Sequence, residues 1–148
     1  MDIRFVKISK SKMEDLVEYL IHETKNFEFE DWSRDNFLLD LPGKWESSLF
    51  IYINDQFAGF SINSLKCKSI HIHYFFIIRK FRNFGVGKLL LAECISLVQK
   101  RNLQKLVLKC HVKNFKALEF YIRNSLAITN LDESRTYYTL ELKIKEMN

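Results

Sequence analysis

Proline occurs once and glycine four times in the 148 residues, a scarcity that excludes collagen-like repeats, proline-rich linkers and loop-dominated scaffolds. Cysteine is also sparse. Cys67, Cys94 and Cys110 form neither an even set nor a Cys-x-x-Cys pair, which argues against a disulfide framework or a zinc module and points to a reducing compartment. No segment reaches the ~18 consecutive apolar residues of a membrane span. The opening Met1-Asp2-Ile3-Arg4-Phe5 runs into a strand-like pattern and lacks the regions of a secretory leader, so the expected location is the cytoplasm. Lys and Arg exceed Asp and Glu by 23 to 18, a net +5, which is compatible with a polyanionic ligand without selecting one.

What the chain does have is apolar content: 47% of its residues are hydrophobic, enough for one core, and the length fits a single domain spanning 1–148, since domains cluster near ~100–150 residues. Residues 3–8 read as a strand. Ser11-Lys12-Met13-Glu14 has the form of a capping box, followed by Met13, Leu16, Val17, Leu20 and Ile21 on one helical stripe. Ser33 can cap a short second helix before the Pro42-Gly43 breaker. Two strands, Leu49 to Ile53 and Phe57 to Leu65, flank the turn-forming Asn54-Asp55. A fourth strand runs from Ser69 to Ile78, and its unbroken Tyr74-Phe75-Phe76-Ile77-Ile78 implies burial on both faces. Val86, Leu90, Cys94 and Leu97 define one helix face; Leu106 to Val112 reads as a fifth strand, Phe115 to Arg123 as a helix and Tyr137 to Ile144 as a late strand. This succession implies a mixed α/β sheet with helices on both faces.

The segment between the fourth strand and the helix after it, Arg82-Asn83-Phe84-Gly85-Val86-Gly87-Lys88, carries the most chemistry. Gly85 and Gly87 allow close backbone approach, amides at the helix start point outward with partial positive charge, and Arg82 and Lys88 add charge-assisted contacts, as a diphosphate requires. A P-loop and a dinucleotide fingerprint are both excluded by spacing, the latter because Leu90 stands where a third glycine belongs. A strand-helix turn that binds nothing would also use these glycines.

Arg82-x-x-Gly85-x-Gly87 resembles the Arg/Gln-x-x-Gly-x-Gly/Ala signature of the GNAT (Gcn5-related N-acetyltransferase) superfamily, and Asn114-x-x-Ala117-x-x-Phe120-Tyr121 resembles its second cofactor segment. Together they span about residues 70–126. The resemblance implies a central, mostly antiparallel sheet splayed between its fourth and fifth strands, and an enzyme that moves the acetyl group of acetyl-CoA to a primary amine by direct attack in a ternary complex, without a metal. By resemblance, the backbone of Phe75 and Ile77 would bond pantetheine. The stretch Arg82, Asn83, Phe84, Gly85, Val86, Gly87 and Lys88 would hold the diphosphate, and Asn114, Ala117 and Phe120 would complete the cofactor site. Asn114 is equally sensible as a helix cap. Many relatives end the Tyr121 helix with Gly-Phe, whereas Asn124-Ser125-Leu126 stands here; Asn can supply the left-handed geometry that ends a helix.

Tyr121 matches the family position that protonates the leaving sulfur, although a tyrosine packed in the core would look the same. His71 and His73 lie two apart on the fourth strand and are expected on one face together with Phe75. His-x-His followed by Arg-x-Phe-Arg-x-x-Gly-x-Gly is similar to serotonin N-acetyltransferases, whose histidines relay the amine proton. Two exposed strand histidines would share that spacing, and zinc binding lacks a third ligand at a usable distance. Phe27, Glu28, Phe29, Glu30, Asp31 and Trp32 combine aromatic faces with carboxylates, which suits a cationic small amine; an acidic surface loop reads alike. The alternatives are a protein or peptide N-acetyltransferase, a non-catalytic acyl-CoA-binding module, and a nucleic-acid binder, the last without a recognised motif. The resemblance also makes a homodimer a candidate assembly.

Overall fold

A computed structural model describes residues 1–144. Strand β1 (Ile3–Lys7) leads into helix α1 (Lys10–Thr24), then α2 (Arg34–Leu38), α3 (Lys44–Ser47), β2 (Leu49–Ile53), β3 (Gln56–Lys66) and β4 (Ser69–Ile77). Helix α4 (Val86–Lys100), β5 (Lys105–His111), α5 (Phe115–Arg123), β6 (Ala127–Leu131) and β7 (Tyr137–Lys143) follow. The seven strands form one sheet in the order β1-β2-β3-β4-β5-β7-β6, in which β4 and β5 make the single parallel pair. The expected mixed sheet is therefore present, mostly antiparallel, with helices packed around it.

Two apolar clusters sandwich the sheet. Val86, Leu90, Cys94, Leu118 and Tyr121 pack with Ile70, Ile72, Leu106 and Leu108 on one face. Met13, Val17, Leu20 and Phe37 pack with Phe60, Tyr74 and Phe76 on the other. The helical stripes read from 3.6-residue spacing are thus the buried ones, each large side chain contributing about 1.5–3 kcal/mol. Asn54 and Asp55 take positive φ at the β2–β3 hairpin, as a tight primed turn requires.

Four local expectations are corrected. The cap of α1 is Ser9, whose hydroxyl accepts from the Lys12 amide at 3.1 Å, so Ser11 falls inside the first turn; one residue of shift is typical where serines alternate with lysines. Strand β6 was not anticipated, because all five of its residues are exposed and it therefore carries no alternation. The left-handed residue ending α5 is Ser125, at φ 77°, not Asn124; Asn124 uses its side-chain amide to donate to the Phe120 carbonyl at 2.8 Å. Helix α3 was also missed, and it carries Lys44, 1% exposed, whose ammonium donates to the carbonyl oxygens of Phe37 at 2.8 Å and Leu39 at 2.5 Å. Burial lowers the Lys44 pKa to about 8.

Those carbonyls end α2 and would otherwise be orphaned. Replacing Lys44 with Met is expected to lower stability by about 2–4 kcal/mol, read as a shifted urea midpoint; an unchanged midpoint would show that the carbonyls find other donors.

Candidate active site

The sheet opens between its central strands. Pairing of β4 with β5 covers only Ser69–Ile72 against Lys105–Leu108, yet β4 continues to Ile77 and β5 to His111. The cause lies in β3–β4 register: Ile62 faces Tyr74 while the next residue, Asn63, faces Ile72, leaving His73 as an extra residue in β4. Such a bulge bends its strand and changes which way the following side chains point. Ile70 and Ile72 pack on the α4–α5 side, but Tyr74, Phe76 and Ile78 pack on the α1–α2 side.

This corrects the expected histidine face. His71 sits where β4 is still paired to both Ser64 and Val107, away from the opening, while His73 sits at the first unpaired position. Phe75 lies on the α4–α5 side, its ring 5.9 Å from Phe120 and 6.2 Å from Tyr121. Straight strand alternation would have put Phe75 with the histidines; the extra residue reverses it.

The parted strands border a cleft. His73, Phe75, Asn114, Ala117 and Tyr121 line it, as do Phe27, Phe29 and Glu30 from the α1–α2 connection. The His73 Nε2 is 2.7 Å from the Ser64 hydroxyl, and burial first, then the neighbouring His71, lowers its pKa, so it is neutral at neutral pH. Burial lowers the His71 pKa as well. Tyr121 is 8% exposed, and burial pushes its phenol well above the ordinary range, keeping the proton on the oxygen. Burial also raises the Glu30 pKa.

Residues that sequence reasoning left without a role join them: Tyr74, Lys109, Cys110, His111 and Tyr137. The His111 Nδ1 accepts from the Lys113 amide at 3.1 Å, which leaves the proton of the neutral ring on Nε2. A usable signal existed for His111, since ligands favour the carboxyl ends of strands where a sheet divides.

At the far end of β4, Gly85 caps α4 at φ 80° without a side-chain hydrogen bond, so the first helix amides keep their outward donors. A Cβ on Gly85 would meet nothing within 4 Å, whereas one on Gly87 would lie 3.3 Å from the Phe120 ring. Gly85 thus serves conformation and open access, and Gly87 serves the close packing of α4 on α5. Asn83 also takes positive φ, Phe84 is exposed, and Val86 is buried in the core at the first helical position. Lys88 is exposed. Arg82 folds back: its Nε donates to the Ile77 carbonyl at 2.8 Å, and its guanidinium lies 5.0 Å from the Phe76 ring centre. The Ile78 amide donates to Ala58 on the β3 side, so by alternation the backbone groups of Ile77 and Phe75 face the opening. One of those groups, the Ile77 carbonyl, is therefore already taken by Arg82. Asn114 caps α5, its Oδ1 accepting from the Ala117 amide at 3.3 Å, and its side-chain amide is left to donate.

These features fit a nucleotide thioester: free helix amides and cations for a diphosphate, unpaired strand backbone for an extended polar arm, and a neutral phenol deeper in. No group of three or more His, Cys, Asp or Glu able to hold a metal occurs among the described residues. No helix among them is long and apolar enough to cross a membrane.

Comparison with known proteins adds a family. The model of the acetyltransferase (GNAT) family matches residues 13–124, and no curated protein sequence matches the chain. Among solved structures, Ard1 from Thermoplasma volcanium is 22% identical with a TM-score of 0.80, over 99% of this chain and 100% of that one. The ribosomal-protein-S18-alanine N-acetyltransferase of Escherichia coli is 15% identical with a TM-score of 0.81, over 99% and 96%. Naa50 of Arabidopsis thaliana, in complex with the bisubstrate analogue CoA-Ac-MVNAL, is 18% identical with a TM-score of 0.78, over 97% and 100%. At these identities the likeness is one of fold.

The three thiols differ sharply in access. Cys67 is exposed, and burial pushes both Cys94 and Cys110 up to about 11. An aromatic disulfide reagent is expected to titrate one thiol quickly in the native protein and three in urea, because the thiolate is the reacting form. Rapid native titration of two or more would mean that the cleft is more open than described.

Proposed function

The chain belongs to the acetyltransferase (GNAT) family, and from that premise we propose that residues 1–148 form one N-acetyltransferase domain transferring the acetyl group of acetyl-CoA to a primary amine. The observation that carries the reading is the opening of the sheet after Ile72 beside a helix start whose amides are free. The α4 amides, Arg82 and Lys88 hold the diphosphate. The backbone of Phe75 and the amide of Ile77, whose carbonyl Arg82 occupies, are open to the pantetheine arm, and the side-chain amide of Asn114 donates to it, with Ala117 and Phe120 forming the wall. Acetyl-CoA supplies an acyl group on sulfur, a good leaving group once protonated.

An amine of pKa near ~10.4 must lose a proton before it attacks. His73, neutral and bonded to Ser64, accepts it at the mouth of the cleft; His71, in fully paired sheet, stands behind it. Tyr121 gives its phenolic proton to the sulfur as the carbon–sulfur bond breaks and the carbon–nitrogen bond forms. The acceptor side, formed by Phe27, Phe29, Glu30 and Trp32, favours a cationic amine through ring faces and one carboxylate. A protein or peptide N-terminus is the second reading, favoured by likeness to Naa50 with its peptide-bearing analogue.

Calorimetric titration with acetyl-CoA tests the donor site. Micromolar or tighter binding is expected for the wild type, weakened about tenfold or more in a folded Arg82→Ala/Gly85→Glu variant through lost phosphate contacts. No binding by the folded wild type would overturn the assignment. Thiol release with panels of small amines and peptides then separates the two acceptor readings, and equal rates with acidic and cationic amines would refute the preference for positive charge. Tyr121→Phe is expected to lower kcat about 100-fold with acetyl-CoA affinity retained.

A further inference from the structure

Three tyrosines, Tyr74, Tyr121 and Tyr137, line the cleft, and acetyl transfer as described uses only Tyr121. Tyr74 is 3% exposed, and its hydroxyl is, among the described residues, the one buried side-chain polar atom without a hydrogen-bond partner. Leaving such a group unpaired is costly, and native interiors rarely tolerate it without a purpose. The Thr24 hydroxyl stands near enough to lower the Tyr74 pKa but makes no well-formed hydrogen bond to the phenol, and packing gives no other purpose. The ring lies against Trp32 at 4.9 Å, Phe60 at 5.1 Å, Phe37 at 6.1 Å and Phe27 at 6.3 Å, and a phenylalanine would fill this aromatic nest with no orphaned oxygen.

We propose that the Tyr74 hydroxyl is the contact that fixes the attacking nitrogen of the acceptor amine, an inference resting on the acetyl-transfer reading of this cleft. Face decides between nitrogen and thioester. Phe75 and Tyr121 stand on the α5 side with the cofactor segments, whereas the extra residue at His73 turns Tyr74 toward the α1–α2 connection. Glu30, the one carboxylate lining the cleft, belongs to that connection; burial chiefly raises the Tyr74 pKa, the Thr24 hydroxyl lowers it, and the charges of Glu30 and Asp31 raise it further while that of Arg82 lowers it. The phenol is therefore neutral, and its oxygen accepts an N–H. A primary ammonium has three N–H groups, so Tyr74 and Glu30 each take one while the rings of Phe27 and Phe29, which line the cleft, border the charge. Loss of one proton then leaves a nitrogen whose remaining hydrogens are held and whose lone pair is free to be aimed at the acyl carbon.

Tyr74→Phe separates this role from a structural one. The expected outcome is a melting temperature equal to or above that of the wild type, unchanged acetyl-CoA affinity, and kcat/KM for the amine lowered about 10- to 100-fold, the value of one hydrogen bond to a charged partner. Unchanged kcat/KM in a folded variant would overturn the inference and leave acetyl transfer standing. A lowered melting temperature with weakened acetyl-CoA binding would also overturn it, by showing that the hydroxyl supports the fold. A wild type that binds acetyl-CoA yet acetylates no amine in either panel would remove the acetyl-transfer reading and this inference with it.

Discussion

The missing hydrogen bonds between β4 and β5 are the constraint on which the rest of this structure depends. Backbone donors and acceptors in a protein interior are nearly always paired, so a sheet that divides at its centre must present those groups to solvent or to a ligand. Here the division is imposed on one side by register. The extra residue at His73 lets β4 stay bonded to β3 through Gly59–Ile77 while bending it away from β5. Strand β5 loses nothing in return, because it stays paired with β7 through His111–Tyr137. Each central strand thus keeps one complete partner, and only the edge between them is left open.

Keeping the opening apart needs rigid walls, and the two apolar clusters supply them. On one side α4 and α5 lock together where Gly87 admits the Phe120 ring, which fixes the free amides of α4 relative to Tyr121. On the other side the short helices α2 and α3 are too small to be stable alone and are tied by the buried ammonium of Lys44 on the carbonyls of Phe37 and Leu39. That tie holds Phe37 against Trp32 and Tyr74, and so supports the aromatic side of the cleft from behind. Arg82 closes the far end by pairing with the Ile77 carbonyl, which leaves its outer guanidinium nitrogens for other partners.

Much of this was legible in the chain because it is written locally. The glycine loop before an amphipathic helix, Asn114 and Tyr121 at fixed spacing, the α4 stripe and the Asn54-Asp55 turn all depend on neighbours within a few residues. Bulged register is not local: whether Asn63 faces Ile72 or His73 is settled by two strands together, and a reading of β4 by itself gives strict alternation. That is why Phe75 was expected on the face of the histidines and lies on the other. Tyr74 was hidden for the same reason, appearing as one more apolar residue in an aromatic run. His111 and Cys110 became cleft residues only once β5 parted from β4. Strand β6 left no trace because an edge with five exposed residues has no pattern to read.

Charge gives the cleft a direction. Arg79, Lys80, Arg82 and Lys88 gather at the end of β4 and the start of α4, while Glu28, Glu30 and Asp31 gather on the α1–α2 connection. A modest overall excess of +5 thus conceals a basic cluster and an acidic one on different segments, with Arg82 itself leaning on the Phe76 ring of the α1–α2 side. A polyanion and a cation approaching such a molecule are drawn to different entrances, and the attraction extends over about one Debye length, near ~8 Å at physiological salt. Under the acetyl-transfer reading proposed above, such sorting would let both reactants occupy one narrow opening without competing for it. On that reading a carboxylate at the glycine loop would repel the phosphates that the helix amides would receive.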